Sequence, residues 1–234
     1  MTLKDKLAAQ KIYLLLAALF ITSLVVSNLI FQKFFYWYPL DVEIFGTKLF
    51  EISVGILPYP ITFLITDLIS EIYGKKRAND VVVVGIFASL FSLGIVLISN
   101  AAPATSWSPV GNQLFSTVFG NTAIAVTASM MAYLFAQFID IQIYHFWKRI
   151  TKGKHLWLRN NFSTFSSQFV DTFTILMLLC SFDVISWDRF NGLLISGFLF
   201  KVLIAVCDTP LLYLGVYIFK KRFKLKTNEE IELL

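Results

Sequence analysis

The sequence predicts an all-α integral membrane protein with six transmembrane helices and both termini in the cytoplasm. Three observations predict it. Of 234 residues, 57% are hydrophobic and 15% charged, with a mean hydropathy of +0.70, whereas a soluble domain carries about 25% charged residues. Six stretches stay mostly apolar for the roughly 20 residues that a helix needs to cross a bilayer. Finally, sixteen of the twenty Lys and Arg fall on one side of those stretches and three on the other. By the positive-inside rule the basic side is cytoplasmic.

The first expected span covers 12–31, after Lys4, Lys6 and Lys11. It ends in SNLIFQK with no small-residue cleavage pattern, so it reads as a retained helix and not a signal peptide. The second, 52–73, enters through Pro58 and Pro60 and stops at Lys75, Lys76 and Arg77. The third covers 81–99. The uncharged stretch AAPATSWSPVGNQ after it reads as an ordinary outer loop, with Trp107 as an interfacial anchor. The fourth span, 117–147, is long, and a basic segment from Lys148 to Arg159 separates it from the fifth, 162–182. The sixth covers 190–219 and contains Pro210, which cannot donate to the carbonyl of Val206. Residues 220–234, basic and then acidic, read as a solvated cytoplasmic tail. There is no linker or low-complexity tract, so 1–234 reads as one transmembrane domain.

Several chemistries find no support. Cys180 and Cys207 both lie in apolar runs, and His145 and His155 sit in a basic region without ligand spacing. No metal and no cofactor is expected. The net charge of +5 does not point to nucleic acid, because here the basic residues mark topology. No GxxxxGK[ST] is present, so any ATP-driven step would need an ATPase partner. An enzyme using Asp67 and Glu71 as acid and base would lack a nucleophile–base pair, a metal set or a cofactor motif.

The informative residues are the ionisable ones inside the spans. Each costs roughly 2.5–3.5 kcal/mol on insertion scales and defaults to a functional hypothesis. They are Asp67 and Glu71 in the second span, Asp140 in the fourth, Asp171 in the fifth, and Lys201 and Asp208 in the sixth. The helical rise puts Asp67 roughly 22 Å from the outer end of its span, and Glu71 about 6 Å further in on the same face. Asp171 and Lys201 fall about 15–16 Å into consecutive antiparallel helices, at matching depth near the midplane. A salt bridge between them is the simplest way to keep both charged, and structural glue is its plain reading. Asp208 comes out close in depth to Asp67. For Glu71 the plain reading is pairing with Lys75 or snorkelling to the inner interface. Asp140 is expected near the wet inner end of its helix.

Three blocks carry a family resemblance. PITFLITDLISEIYGKKRAND (60–80), LRNNFSTFSSQFVDTF (158–173) and KVLIAVCDTPLLYLG (201–215), with Asn28 in VVSN, resemble the queuosine precursor transporter family. These are six-span bacterial membrane proteins related to vitamin uptake transporters. The resemblance implies import, across the bacterial inner membrane, of 7-deazaguanine bases such as 7-cyano- and 7-aminomethyl-7-deazaguanine, precursors of a modified tRNA base. It implies no enzymatic step, and as partners a purine-like small molecule and the lipid bilayer. Asn28, Asp67, Gln168, Asp171, Lys201 and Asp208 are then the expected substrate-binding residues, with Glu71 a proton-coupling or structural residue. The residue chemistry suits such a ligand. A carboxylate takes two parallel N–H donors, an amide can donate and accept, and an aromatic wall can stack on a flat ring. A substrate-binding subunit of an ATPase-dependent vitamin or nucleobase importer is the alternative. A homo-oligomer stays open.

Overall fold

The computed structural model describes residues 3–37, 43–44, 47–48, 50–120, 123–183, 185–226 and 229–232. Helix α1 (Leu3–Ile30) is 28 residues without Pro or Gly, about 42 Å long. It therefore outruns the hydrocarbon core and carries its N-terminal charges beyond it. Its exposed face, with Leu14, Leu15 and Leu19, is apolar, as bilayer contact requires.

Two short β-ladders follow, in a stretch expected only as an outer connection. β1 (Phe34–Tyr36) pairs antiparallel with β4 (Glu51–Ser53), and β2 (Glu43–Ile44) with β3 (Thr47–Lys48) between them. The alternation of Phe, Tyr and Trp in FFYW suits a strand, but three residues are too few to show a period. The ladder is tied to the helices by the Phe50 N–H, which donates to Ser196 Oγ at 2.5 Å. Trp37, Phe50 and Phe200 rings pack below it, with centroids 5.7–6.0 Å apart.

A 3-10 turn, Val54–Ile56, leads into α2 (Tyr59–Ile72). Pro58 caps α2 and Pro60 is inside its first turn, so the prolines start the helix instead of bending it. Gly55 is obligatory here: a Cβ would lie 2.7 Å from the backbone oxygen of Ser27. α2 ends at Tyr73, and Gly74, at φ +85°, turns the chain directly into α3 (Gly74–Ala101). Lys75, Lys76 and Arg77 are therefore in the first turn of α3 and not in a loop. A run of charges ends a membrane span, but without a Pro it does not end a helix.

Beyond an exposed turn with Trp107 come the short α4 (Asn112–Phe115) and a π-turn, Ser116–Gly120. Then α5 (Ala123–Ile150), α6 (Leu156–Ser181), a 3-10 turn (Trp187–Arg189) and α7 (Phe190–Phe223) complete the fold. α5 packs along α6, and α6 against α7. α7 runs 34 residues through Pro210. One core joins Phe20 and Leu24 of α1, Ile69 and Ile72 of α2, Val82 of α3, Tyr133 and Ile141 of α5, and Leu212 of α7.

Among the described residues, five helical segments are long and apolar enough to cross a membrane: 3–30, 54–72, 74–101, 156–181 and 187–223. The chain is thus an all-α, multi-pass membrane protein. The start of α1 and the end of α7 lie together, joined by Arg222 to Asp5 at 3.2 Å.

The tail departs from expectation. Ile231 is buried, and its N–H donates to the carbonyl of Ile72 at 2.7 Å. Glu230 pairs with Lys148 at 2.9 Å. The tail is not simply solvated, because its apolar Ile231 fills the core edge and its carboxylate meets a half-sequestered cation.

Candidate functional site

Helix α6 presents a polar stripe to the interior. Arg159, Asn160, Ser163, Thr164, Ser167, Gln168 and Asp171 are all buried, recurring every three or four residues as one face of a helix does. In a bilayer such a face must point into protein. Everything that follows is arranged along it.

At the outer end of the stripe, Asp171 is bonded to Lys201 of α7. The expected depth match thus brings these two groups into contact. They line a cavity of about 170 Å³ that also touches Asn28 and Phe31 of α1, the turn at Gly55, and Gly197 of α7. The Asn28 Nδ2 is buried without a hydrogen-bond partner, so it offers a donor to whatever enters. The rest of the lining is mainly aliphatic, from Ile52, Ile175, Leu176 and Leu193. An ion pair, an unused amide and a largely apolar wall are what a flat, polar-edged ligand needs.

One turn deeper, a second cavity of about 20 Å³ is lined by Thr164, Gln168, Lys201 and Asp208 among apolar neighbours. The two cavities share Ile56 and Lys201. Five of the six expected binding residues therefore border one of two adjoining spaces.

Asp67 does not line either cavity. Its carboxyl is within hydrogen-bonding reach of Asp140, and Asp140 Oδ1 accepts from Ser167 Oγ at 2.9 Å. Carboxylates only accept, so a bond between two carboxyls requires a proton on one of them. Asp140 was expected to be wet; it is fully buried, because α5 continues past it to Ile150 and α6 covers it.

Glu71 is also differently placed. Its carboxylate binds Arg159 Nη2 at 2.7 Å and Lys220 Nζ at 3.3 Å, with Lys148 Nζ at 3.8 Å, and accepts from Tyr144 Oη at 3.2 Å. Lys75 instead bonds Gln142. Arg159, which reads in sequence as a loop cation, is 1% exposed and lies 5.5 Å from the Tyr144 ring centroid. The missed residues are thus Arg159, Tyr144, Asp140 and Thr164. The spacing of polar residues in LRNNFSTFSSQFVDT was the available signal for those on α6.

Comparison with known proteins fits this picture. The family model described as "Putative vitamin uptake transporter" matches residues 53–215, a stretch holding all of these groups except Asn28, Lys220 and the tail. A curated relative, "Probable queuosine precursor transporter" of Bacillus subtilis (strain 168), is 30% identical over 173 residues, covering 74% of this chain and 73% of its own. "Queuosine precursor transporter" of Escherichia coli (strain K12) is 28% identical over 203 residues, covering 85% and 86%. No solved structure matches the chain.

Proposed function

The chain belongs to the queuosine precursor transporter family, within the vitamin uptake transporters, and from that premise we propose that it imports 7-deazaguanine bases across the bacterial inner membrane. It is a membrane transporter and not an enzyme. The proposal has one domain with six spans, α5 being the fourth, and both ends cytoplasmic.

The observation that carries the reading is the Asp171–Lys201 pair at the wall of the larger cavity, opposite the unused amide of Asn28. A guanine-like edge presents adjacent N–H donors and a carbonyl. In the proposed complex the donors face the Asp171 carboxylate, as in a bidentate pair. The carbonyl accepts from Lys201, and Asn28 donates to a ring nitrogen or nitrile. The base thus replaces each ion's partner with a complementary group, and neither charge is left uncompensated as the pair opens. Phe31 gives the ring an aromatic neighbour. Gln168 and Asp208 stand one turn below, and Asp67 acts from further away.

Thermal unfolding of the purified protein with a panel of bases tests this. A stabilising shift is expected with 7-cyano- and 7-aminomethyl-7-deazaguanine, and a smaller one with adenine, whose edge lacks the carbonyl. Equal shifts with all bases, or none, would contradict the assignment. Dependence of transport on an added ATPase would favour the subunit reading instead.

A further inference from the structure

We propose that the small cavity between α6 and α7 is a sodium-ion site, and that the ion tightens binding of the base in the adjoining larger cavity. The second clause rests on the function proposed above; the first does not.

Three oxygens converge on this space. Thr164 and Gln168 come from successive turns of α6, and Asp208 from α7. Thr164 Oγ1 and Gln168 Oε1 are buried with no hydrogen-bond partner in the structure, on residues each 4% exposed. Orphaned polar atoms of this kind call for an explanation, commonly a water or an ion. Asp208 has no ion-pair partner among the described residues. The volume of about 20 Å³ holds one small particle, since a water needs about 10–15 Å³ on the same measure. The remaining wall is apolar, from Ile56, Phe63 and Phe200.

Charge and ligand chemistry then choose the occupant. Glu71 is surrounded by Arg159, Lys148 and Lys220, and Asp171 holds Lys201. Asp67, Asp140 and Asp208 have no cation within ion-pair distance among the described residues, and Asp67 lies within electrostatic reach of the other two. One added positive charge offsets that excess. A proton on Asp208 would supply one donor for two orphaned acceptors, whereas a cation can bind all three oxygens. The set of one carboxylate, one amide oxygen and one hydroxyl is that of a hard cation. A divalent ion would want more carboxylates and would face the Lys201 ammonium on the shared wall. Sodium fits the single charge and the small space.

The shared wall also supplies the coupling. A cation beside Asp208 repels the Lys201 ammonium toward the larger cavity, where the base carbonyl accepts from it. By linkage, ion and base then raise each other's affinity equally.

The test uses purified full-length protein in sodium, potassium and choline chloride at one pH and ionic strength. Without base, sodium chloride alone raises the Tm of the wild type above its value in choline chloride. Thr164→Val abolishes the rise, and Thr164→Ser, which keeps the oxygen, restores it. With labelled 7-cyano-7-deazaguanine, sodium lowers the apparent Kd about tenfold in the wild type. In Thr164→Val the Kd equals the wild-type value in choline in every salt. The proposal is overturned by a Tm indifferent to sodium, by an equal response to potassium, or by a sodium response that survives Thr164→Val unchanged. If the base binds in no salt, the functional reading fails, while the base-free sodium shift still decides the ion site.

Discussion

Removing one member of a buried ion pair strands the other charge, at a cost of about 3–5 kcal/mol. That rule separates a ligand role for Asp171 and Lys201 from a purely structural one. Asp171→Asn alone and Lys201→Met alone are each expected to lower the Tm and abolish uptake. The double variant Asp171→Asn/Lys201→Met leaves no stranded charge, so its Tm should recover toward the wild type while uptake stays absent. Recovery of both would make the pair mere glue. Glu71→Gln strands Arg159 at 1% exposure and should destabilise by about 3–5 kcal/mol in a denaturation series, whereas Lys75→Ala should be nearly neutral. The Asp171–Lys201 contact was legible in the sequence because helical rise alone sets depth. The partner of Glu71 was not. Arg159 sits 88 residues along the chain in a segment whose basic neighbours mark it as loop, and only the docking of α6 on α2 reveals the pair.

The elements that the sequence could announce were the long ones. An apolar run of 20 residues is a strong signal, whereas β1 and β4, three residues each, fall below any periodicity. The tail was read by its charges, and its contacts depend on two apolar residues, Leu225 and Ile231, that a short polar segment hides. Burying Ile231 is worth about 1.5–3 kcal/mol. Ile231→Asp should therefore lower the Tm and speed hydrogen exchange at the α2–α3 junction, while Glu232→Ala does neither. Exchange there indifferent to Ile231→Asp would mean the tail does not hold the junction. Gly74→Ala tests the same place from the other side. Its φ of +85° and the Glu230 carboxylate, 2.2 Å from where a Cβ would stand, predict destabilisation of at least about 1 kcal/mol.

For the molecule as a whole, the account joins a topology to a transport direction. With both ends cytoplasmic, a lone reporter cysteine at Ser106, in a background lacking Cys180 and Cys207, should react with an impermeant thiol reagent on intact cells. One at Lys152 should react only after permeabilisation, and the reverse pattern would invert the protein. The central claim is tested most directly by uptake of labelled 7-cyano-7-deazaguanine into vesicles holding only this chain. Accumulation by the wild type, its competition by 7-aminomethyl-7-deazaguanine, and its loss in Asp171→Asn are predicted. No uptake in vesicles from correctly folded wild type, or uptake unaffected by Asp171→Asn, would contradict it.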